Sequence, residues 1–373
     1  MRDFEKAISF DNLYNGLKAS CNGVRWKNST IGYEANALKN TYKLRQDLLN
    51  GTYKLQPYQM FRINEPKERD IVATRIRDRQ FQHSMVDNIV YFQLTDGFVE
   101  SNCACQKGRG IDYCVDIMKK YLRMYYLDYG TDGWVLKCDI KSYFANIRHD
   151  VAKEIVNRRI SDADIRKELY RIIDSYQGDC GLGLGSQVNQ LLALAVLDDL
   201  DHFIVEVLHI QYYVRYMDDF ILVHPDKEYL KRCREKIEKH LSAKGLALSK
   251  KKTTLSPLSQ GFKLLKWKFM LKPSGKVILR MDRKKVLKQK KKIMKLWERE
   301  QKGLCKPGTC DMSMNSWMAN ARRGDTYSER REMAQFYFKL TGRRYHDYVK
   351  RRETVTAVGS DCVQQSDGSE YPC

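Results

Sequence analysis

Tyr216-Met217-Asp218-Asp219 stands between the apolar runs Tyr212-Tyr213-Val214 and Phe220-Ile221-Leu222-Val223. Two adjacent carboxylates inside a packed hairpin cannot neutralise each other, and each needs a cation or hydrogen-bond donors to offset its desolvation. At the tip of a hairpin both acids would leave the sheet together. Successive side chains point to opposite faces, so one acid can bind a metal while its neighbour supports it. Hard carboxylate oxygens so placed suit divalent ions that carry triphosphate oxygens, the chemistry of a magnesium-dependent nucleotidyl transferase. The four-residue pattern alone also occurs by chance in unrelated loops.

A third acid lies upstream. Trp134-Val135-Leu136-Lys137-Cys138-Asp139-Ile140 is an apolar run that predicts a buried strand delivering Asp139 near its C-terminal end. Considered alone, Asp139 reads equally as a cap for the helix that follows. Lys141-Ser142-Tyr143-Phe144-Ala145-Asn146-Ile147 comes next. Asp-x-x-x-aromatic-Phe after such a strand, with Tyr-x-Asp-Asp on a later hairpin, resembles the palm of reverse transcriptases. The resemblance continues in order along the chain. Pro66-Lys67-Glu68-Arg69 and Thr74-Arg75-Ile76-Arg77-Asp78-Arg79 resemble the basic fingers motif, and Cys105-Gln106-Lys107-Gly108-Arg109-Gly110 the basic, glycine-containing motif before the palm. The stretch from Gly181 to Gln190 resembles the glycine-rich template-side motif, and Leu248-Ser249-Lys250-Lys251-Lys252-Thr253 the lysine motif after the hairpin.

The resemblance implies an α+β, right-hand polymerase: fingers at 1–130, a ferredoxin-like palm at 131–270, a helical basic thumb at 271–350 and a flexible tail at 351–373. It implies two Mg²⁺ ions, with Mn²⁺ able to substitute, held by Asp139, Ile140 and Asp218, with Asp219 as supporting acid in the same metal set. Lys252 would protonate the leaving pyrophosphate, although Lys250 and Lys251 compete for that role. Lys67, Arg69, Phe144, Gly185 and Gln190 would meet the nucleotide, Phe144 as the ring that excludes a ribose 2′-hydroxyl. Its competing reading is core packing, since Tyr143 and Phe144 on an extended segment point to opposite faces and one must be buried. Arg75, Arg77 and Arg79, alternating along a strand, would share a face toward template phosphates, joined by Arg109. Gly181, Gly183 and Gly185 would let a backbone approach substrate or template closely.

The implied function is RNA-directed DNA synthesis from dNTPs on an RNA template with a DNA or RNA primer. Gln190, where many relatives carry Pro, is similar to diversity-generating retroelement enzymes, although Asn189 replaces their usual Ser. An antiphage reverse transcriptase acting with a noncoding RNA is the alternative. A non-catalytic RNA-binding scaffold is the alternative of another class, disfavoured by the presence of all three acids.

The rest of the chain agrees with a polyanion partner. Its 67 Lys and Arg against 46 Asp and Glu leave a net charge of +21, which favours nucleic acid. Between Lys276 and Arg299 eleven Lys and Arg face only Asp282 and Glu298. Val286, Leu287, Ile293, Met294, Leu296 and Trp297 interleave with them, predicting an amphipathic helix with one packed stripe. A face this basic repels itself, so Lys284, Lys285, Lys288, Lys291 and Lys292 are candidates for backbone phosphates rather than a merely solvated surface. At 373 residues the chain can form two or three subdomains. Residues 1–55 carry helical patterning, with Leu13, Leu17, Leu38, Leu44, Leu48 and Leu49 as candidate core, and 261–269 alternates like one strand. No apolar stretch reaches membrane-spanning length and no signal peptide opens the chain, so a cytoplasmic location is expected. Eleven scattered cysteines predict neither a disulfide framework nor a zinc site. An accessory protein or noncoding RNA is a further expected partner.

Overall fold

The computed structural model describes residues 2–64 and 68–345. Lys67, the expected tail at 351–373 and residues 346–350 of the expected thumb lie outside the described residues. The chain divides into two compact units, one built from Met1–Lys285 with Trp317–Thr326, the other from Val286–Ser316 with the residues from Tyr327 onward.

The first unit mixes helix and sheet, the α+β composition expected. Helices Phe10–Cys21 and Ala37–Leu49 bury Leu13, Leu17, Leu44 and Leu48. Leu38 and Leu49, also expected inside, are 63% and 49% exposed. The second helix has one narrow buried stripe, Thr41, Leu44 and Leu48, and Leu49 lies about 100° off it. A two-stranded hairpin follows, β1 (Gln59–Ile63) paired antiparallel with β2 (Arg69–Ala73).

The central sheet contains β3 (Trp134–Asp139), β4 (Tyr212–Tyr216), β5 (Asp219–His224) and β6 (Thr254–Pro257), in the spatial order β4-β5-β3-β6 and antiparallel throughout. Helices intervene between β3 and β4, and one helix, Lys227–Ala243, between β5 and β6. This is the split βαββαβ, ferredoxin-like arrangement. Central position explains the apolar run in β3: Val135, Leu136 and Cys138 are all fully or nearly fully buried between two neighbours. Helix Gln187–Val196 is apolar around its circumference because it is a core helix, buried at every residue from Leu191 to Val196.

A second sheet consists of β7 (Phe262–Leu264), β8 (Trp267–Leu271) and β9 (Val277–Met281). The single alternating strand expected over 261–269 is therefore a hairpin. Leu265 and Lys266 form its two-residue loop with φ of 50° and 70°, the pattern of a type I′ turn, which normally announces itself with Asn or Gly. The second unit contains most of helices Arg283–Gln301 and Thr309–Ala321 and all of Tyr327–Thr341. Ile293 and Cys310 are buried there, Lys290 pairs with Glu332 at 2.5 Å, and Arg343 lies over the Trp297 ring. Leu287 and Met294, expected in the packed stripe of the basic helix, are 49% and 45% exposed.

Below the β4–β5 turn lies a fully buried ion pair. Arg215 Nε and Nη2 donate to Asp201 Oδ1 and Oδ2 at 2.6 and 2.5 Å, and the Tyr213 hydroxyl donates to Asp201 at 2.5 Å. Arg215 Nη1 also donates to the Met217 carbonyl at 3.1 Å and Nη2 to that of Leu194 at 3.3 Å. Removing one member strands the other charge away from water. Arg215→Met should cost about 3–5 kcal/mol in chemical denaturation, and adding Asp201→Leu should recover most of it, because the uncompensated charge is then gone. A loss below about 1 kcal/mol in the single variant, the scale of an exposed pair, would contradict this assignment.

Candidate active site

Tyr216 pairs with Asp219 across the β4–β5 turn, so the loop is only Met217 and Asp218. Met217 has φ of +58°. Positive φ at the first loop residue alone is the type II′ pattern that glycine favours, and a methionine there is strained by about 1–3 kcal/mol. The Arg215 hydrogen bond to its carbonyl helps hold it. This corrects the expectation that both acids leave the sheet together: Asp218 occupies the loop, whereas Asp219 is the first residue of β5 and sits in register opposite Asp139. The Ile140 amide donates to the Asp218 carbonyl at 3.1 Å. Asp139 and Asp219 on two adjacent strands, and Asp218 in the loop before β5, thus lie at one end of the sheet.

Two lysines answer their charge. Lys252 Nζ donates to both Asp139 oxygens, at 2.7 and 2.9 Å, which separates it geometrically from Lys250 and Lys251. Lys137 Nζ donates to Asp219 Oδ2 at 3.0 Å and lies 2.9 Å from Oδ1, outside hydrogen-bonding alignment with that oxygen. Asp218 has no ion pair of comparable closeness among the described residues. Burial pushes its carboxyl above the usual carboxylate range and Asp139 adds repulsion, while Lys252 and Arg69 pull the other way. Burial likewise raises Asp219, against the pull of Lys137.

No three His, Cys, Asp or Glu side chains among the described residues converge as a ready metal cage. The donor chemistry nevertheless suits hard divalent ions: Asp139, the cation-poor Asp218, and the Ile140 carbonyl, for which no protein donor is found among the described residues. Ile140 can serve only through that backbone oxygen, since its side chain is buried hydrocarbon.

Around this centre the expected nucleotide residues separate. Arg69 begins β2, exposed and close enough to Asp218 to favour its charged form. Phe144 is half-buried and Tyr143 buried, on a short helix Tyr143–Asn146 rather than the expected extended segment. Ser142, left-handed with φ of 47°, starts that turn, and its carbonyl accepts from the amides of Ala145 and Asn146. The close approach at Gly183 is internal: a Cβ there would lie 2.2 Å from the Tyr176 ring. Gly185, at φ of +121°, faces Ile71 and Val72 of β2, and the Val72 amide donates to the Leu184 carbonyl at 3.2 Å. Gln190 is exposed one turn further on, while the buried Asn189 donates to Gly183 and Tyr176 at 2.8 Å.

The strand expected to carry Arg75, Arg77 and Arg79 is the start of helix Ile76–Met85, so their spacing spreads them around an axis instead of along one face. Arg77 is spent on Asp47 at 2.7 Å and on the Lys54 carbonyl, and Arg79 is half-buried. Arg75 donates to the Pro57 carbonyl, and Arg109 to those of Val99 and Asn102. On the basic helix Arg283–Gln301, Lys284, Lys288, Lys291 and Lys292 are exposed, whereas Lys285 donates to the Lys266 carbonyl.

Three features escaped sequence reasoning. Arg215 and Lys137 are lone cations inside otherwise apolar strands, a signal that was present. A concavity of about 520 Å³ is lined by Lys263, Lys266, Lys268, Arg280 and Lys285 with Asp282; four of those cations are scattered over three strands and a turn.

Because folding raises the Asp218 pKa, the native state binds its proton more tightly than the unfolded chain does, and the ionised group is a liability fully present above the folded pKa. That liability fades as pH falls from the raised folded value toward the ordinary carboxylate value, and is gone below it. Asp218→Asn should therefore raise the melting temperature of the metal-free protein at neutral pH, with a gain that disappears toward pH 3. A lowered melting temperature at neutral pH would show that Asp218 is stabilising where it stands.

Residues 64–296 match the family described as reverse transcriptase (RNA-dependent DNA polymerase). Protein YkfC of Escherichia coli K12 is 29% identical over 177 residues, covering 44% of this chain and 45% of that protein. The group II intron-encoded protein LtrA of Lactococcus lactis subsp. cremoris is 24% identical over 217 residues, covering 54% of this chain and 33% of that one. The chain thus spans less than half the length of the curated relatives it matches. A solved apo telomerase from Candida tropicalis aligns over 66% of this chain and 60% of its own with a TM-score of 0.49 and 13% identity. Since the matched segment exceeds half the chain and contains all three acids and both of their lysines, the chain belongs to the reverse transcriptase (RNA-dependent DNA polymerase) family.

Proposed function

We propose that this chain copies an RNA template into DNA, joining dNTPs to a primer 3′-hydroxyl with release of pyrophosphate. The observation that carries the reading is the junction of Asp139, Asp218 and Asp219 at one end of adjacent strands, with the Ile140 carbonyl beside them. Asp139, Asp218 and that carbonyl would hold two Mg²⁺ ions, or Mn²⁺ in their place, which supply Lewis-acid activation of the primer hydroxyl and positive charge on the triphosphate. Asp219, engaged by Lys137, supports the site. Arg69 brings a planar fork to the triphosphate, and Lys252, once released from Asp139, is the acid for the leaving pyrophosphate. The half-exposed Phe144 ring lies on the segment directly after Asp139, which supports its role against the ribose 2′-hydroxyl.

In this reading the residues of the first unit before β3 act as fingers, the central sheet as palm, and the helices of the second unit as thumb. The concavity of Lys263, Lys266, Lys268, Arg280 and Lys285 contributes a backbone-binding surface on the first unit; Lys288, Lys291 and Lys292 are backbone-binding candidates of the second unit by itself, and Lys284 of the first. Gln190, exposed beside the Gly185 loop, supports assigning the synthesis to a diversity-generating retroelement.

The direct test is extension of a primed RNA template with dNTPs and Mg²⁺. Asp139→Asn and Asp218→Asn should each lower the rate by roughly a thousandfold or more, several kcal/mol of transition-state stabilisation, while the folded protein still binds RNA. Rates within about tenfold of wild type would remove these acids from the metal set.

The basic concavity has its own readout. Each neutralised phosphate contributes a slope near −0.9 to the dependence of log affinity on log salt for duplex DNA, so changing Lys263, Lys268 and Arg280 together to Gln should flatten the slope by about 2–3. An unaltered slope would assign this face to solvent.

A further inference from the structure

Lys137 is a charged residue in the middle of a buried strand, and its ammonium is shared among three strands. It lies on β3, donates to Asp219 of β5 at 3.0 Å, and donates to the Lys263 carbonyl of β7 at 2.8 Å. Its side chain is 21% exposed and that of Asp219 25%, so the contact is largely screened from water. Two residues before Asp139, it projects from the same face of β3 as that acid, whose register partner is Asp219. Lys263 is also the first basic residue lining the concavity on the second sheet. One ammonium therefore ties the carboxylate end of the central sheet to the edge of the sheet that carries the basic surface.

We infer that Lys137 is a positioning residue, which holds Asp219 back from the metal ions and fixes the second sheet relative to the reacting centre. The inference rests on the polymerase reading for its kinetic consequence, although not for its metal-binding one. With Lys137 engaged, Asp219 has one oxygen hydrogen-bonded and its charge answered, so Asp139 and Asp218 remain the acids available to an ion. Without it, Asp219 becomes a third, competing carboxylate, and β7 loses its tether. Geometry at the metal centre then relaxes without removal of any group that touches substrate.

The full-length chain, wild type and as Lys137→Met, Lys137→Arg and Lys137→Met/Asp219→Asn, is to be compared in two measurements. Titration of Mn²⁺ followed by electron spin resonance of the free ion should show binding about tenfold tighter in Lys137→Met, because a cation beside the site is gone. Adding Asp219→Asn should abolish that gain. In single-nucleotide extension, kcat of Lys137→Met should fall by about a hundredfold with dNTP KM changed less than about threefold, the pattern of misplacement rather than lost binding. Lys137→Arg, whose fork reaches both acceptors, should recover kcat to within about tenfold. A merely structural lysine would not link Mn²⁺ affinity to Asp219. Unchanged Mn²⁺ affinity in Lys137→Met and Lys137→Arg alike, or a gain that survives Asp219→Asn, would overturn the inference. A wild-type protein that binds Mn²⁺ but extends no primer would defeat the polymerase reading, and the Mn²⁺ comparison would still decide the role of Lys137.

Discussion

A guanidinium with no access to water sits beneath the carboxylate hairpin. Arg215 meets Asp201 through two hydrogen bonds, and the same side chain reaches the carbonyl of Met217. Burying two charges is expensive, and their mutual attraction repays the expense only when the geometry satisfies their remaining donors and acceptors. Here Tyr213 and the Leu194 carbonyl complete the set. The pair links the core helices to the strand that ends at the turn. The left-handed Met217 can then persist, and Asp218 is presented on a two-residue loop instead of a mobile one. Strain at the tip and charge beneath it belong to one construction.

Above that foundation the acids are balanced rather than neutralised. Lys252 takes Asp139 and Lys137 takes Asp219, leaving Asp218 partly buried with the least compensation. A polymerase centre needs carboxylates that remain charged yet unsatisfied enough to take up divalent ions. The two lysines differ in what they can do next. Lys252 is half-exposed on a turn, although the Asp139 carboxylate it holds is largely buried. Lys137 is confined within a strand and tethered to a second sheet. One is suited to be displaced and the other to remain.

Much of this was legible in the sequence because strand burial and acid placement are local. The apolar runs around 134–139 and 212–223 marked the central strands, and Asp139 and Asp219 stand opposite each other in register on two of them, with Asp218 in the adjoining loop. Errors arose where one residue type supports two local structures. Arg75, Arg77 and Arg79 alternate with Ile76 and Asp78 as a strand might, but helix Ile76–Met85 is selected by the burial of Phe81 and Met85 against the N-terminal helices. The turn at Leu265 and Lys266 carries no glycine or asparagine, so tertiary pairing of β7 with β8 overrides local preference. Which carbonyl or carboxylate a cation chooses depends on partners distant in the chain, as with Lys137 and Lys263, separated by 126 positions. A lysine or arginine inside an apolar strand signals that such a partner exists without naming it.

In the proposed arrangement Asp139, Asp218 and the Ile140 carbonyl form the ion site while Lys137 keeps Asp219 outside it. Anomalous scattering from Mn²⁺ in crystals of the protein with a primed RNA template and a non-hydrolysable dNTP tests this most directly. Mn²⁺ peaks should be coordinated by Asp139, Asp218 and the Ile140 carbonyl oxygen, with Lys252 withdrawn from Asp139 and Lys137 still bonded to Asp219. Mn²⁺ bound away from Asp139 and Asp218, or Lys252 still clasping Asp139 in the loaded complex, would contradict it.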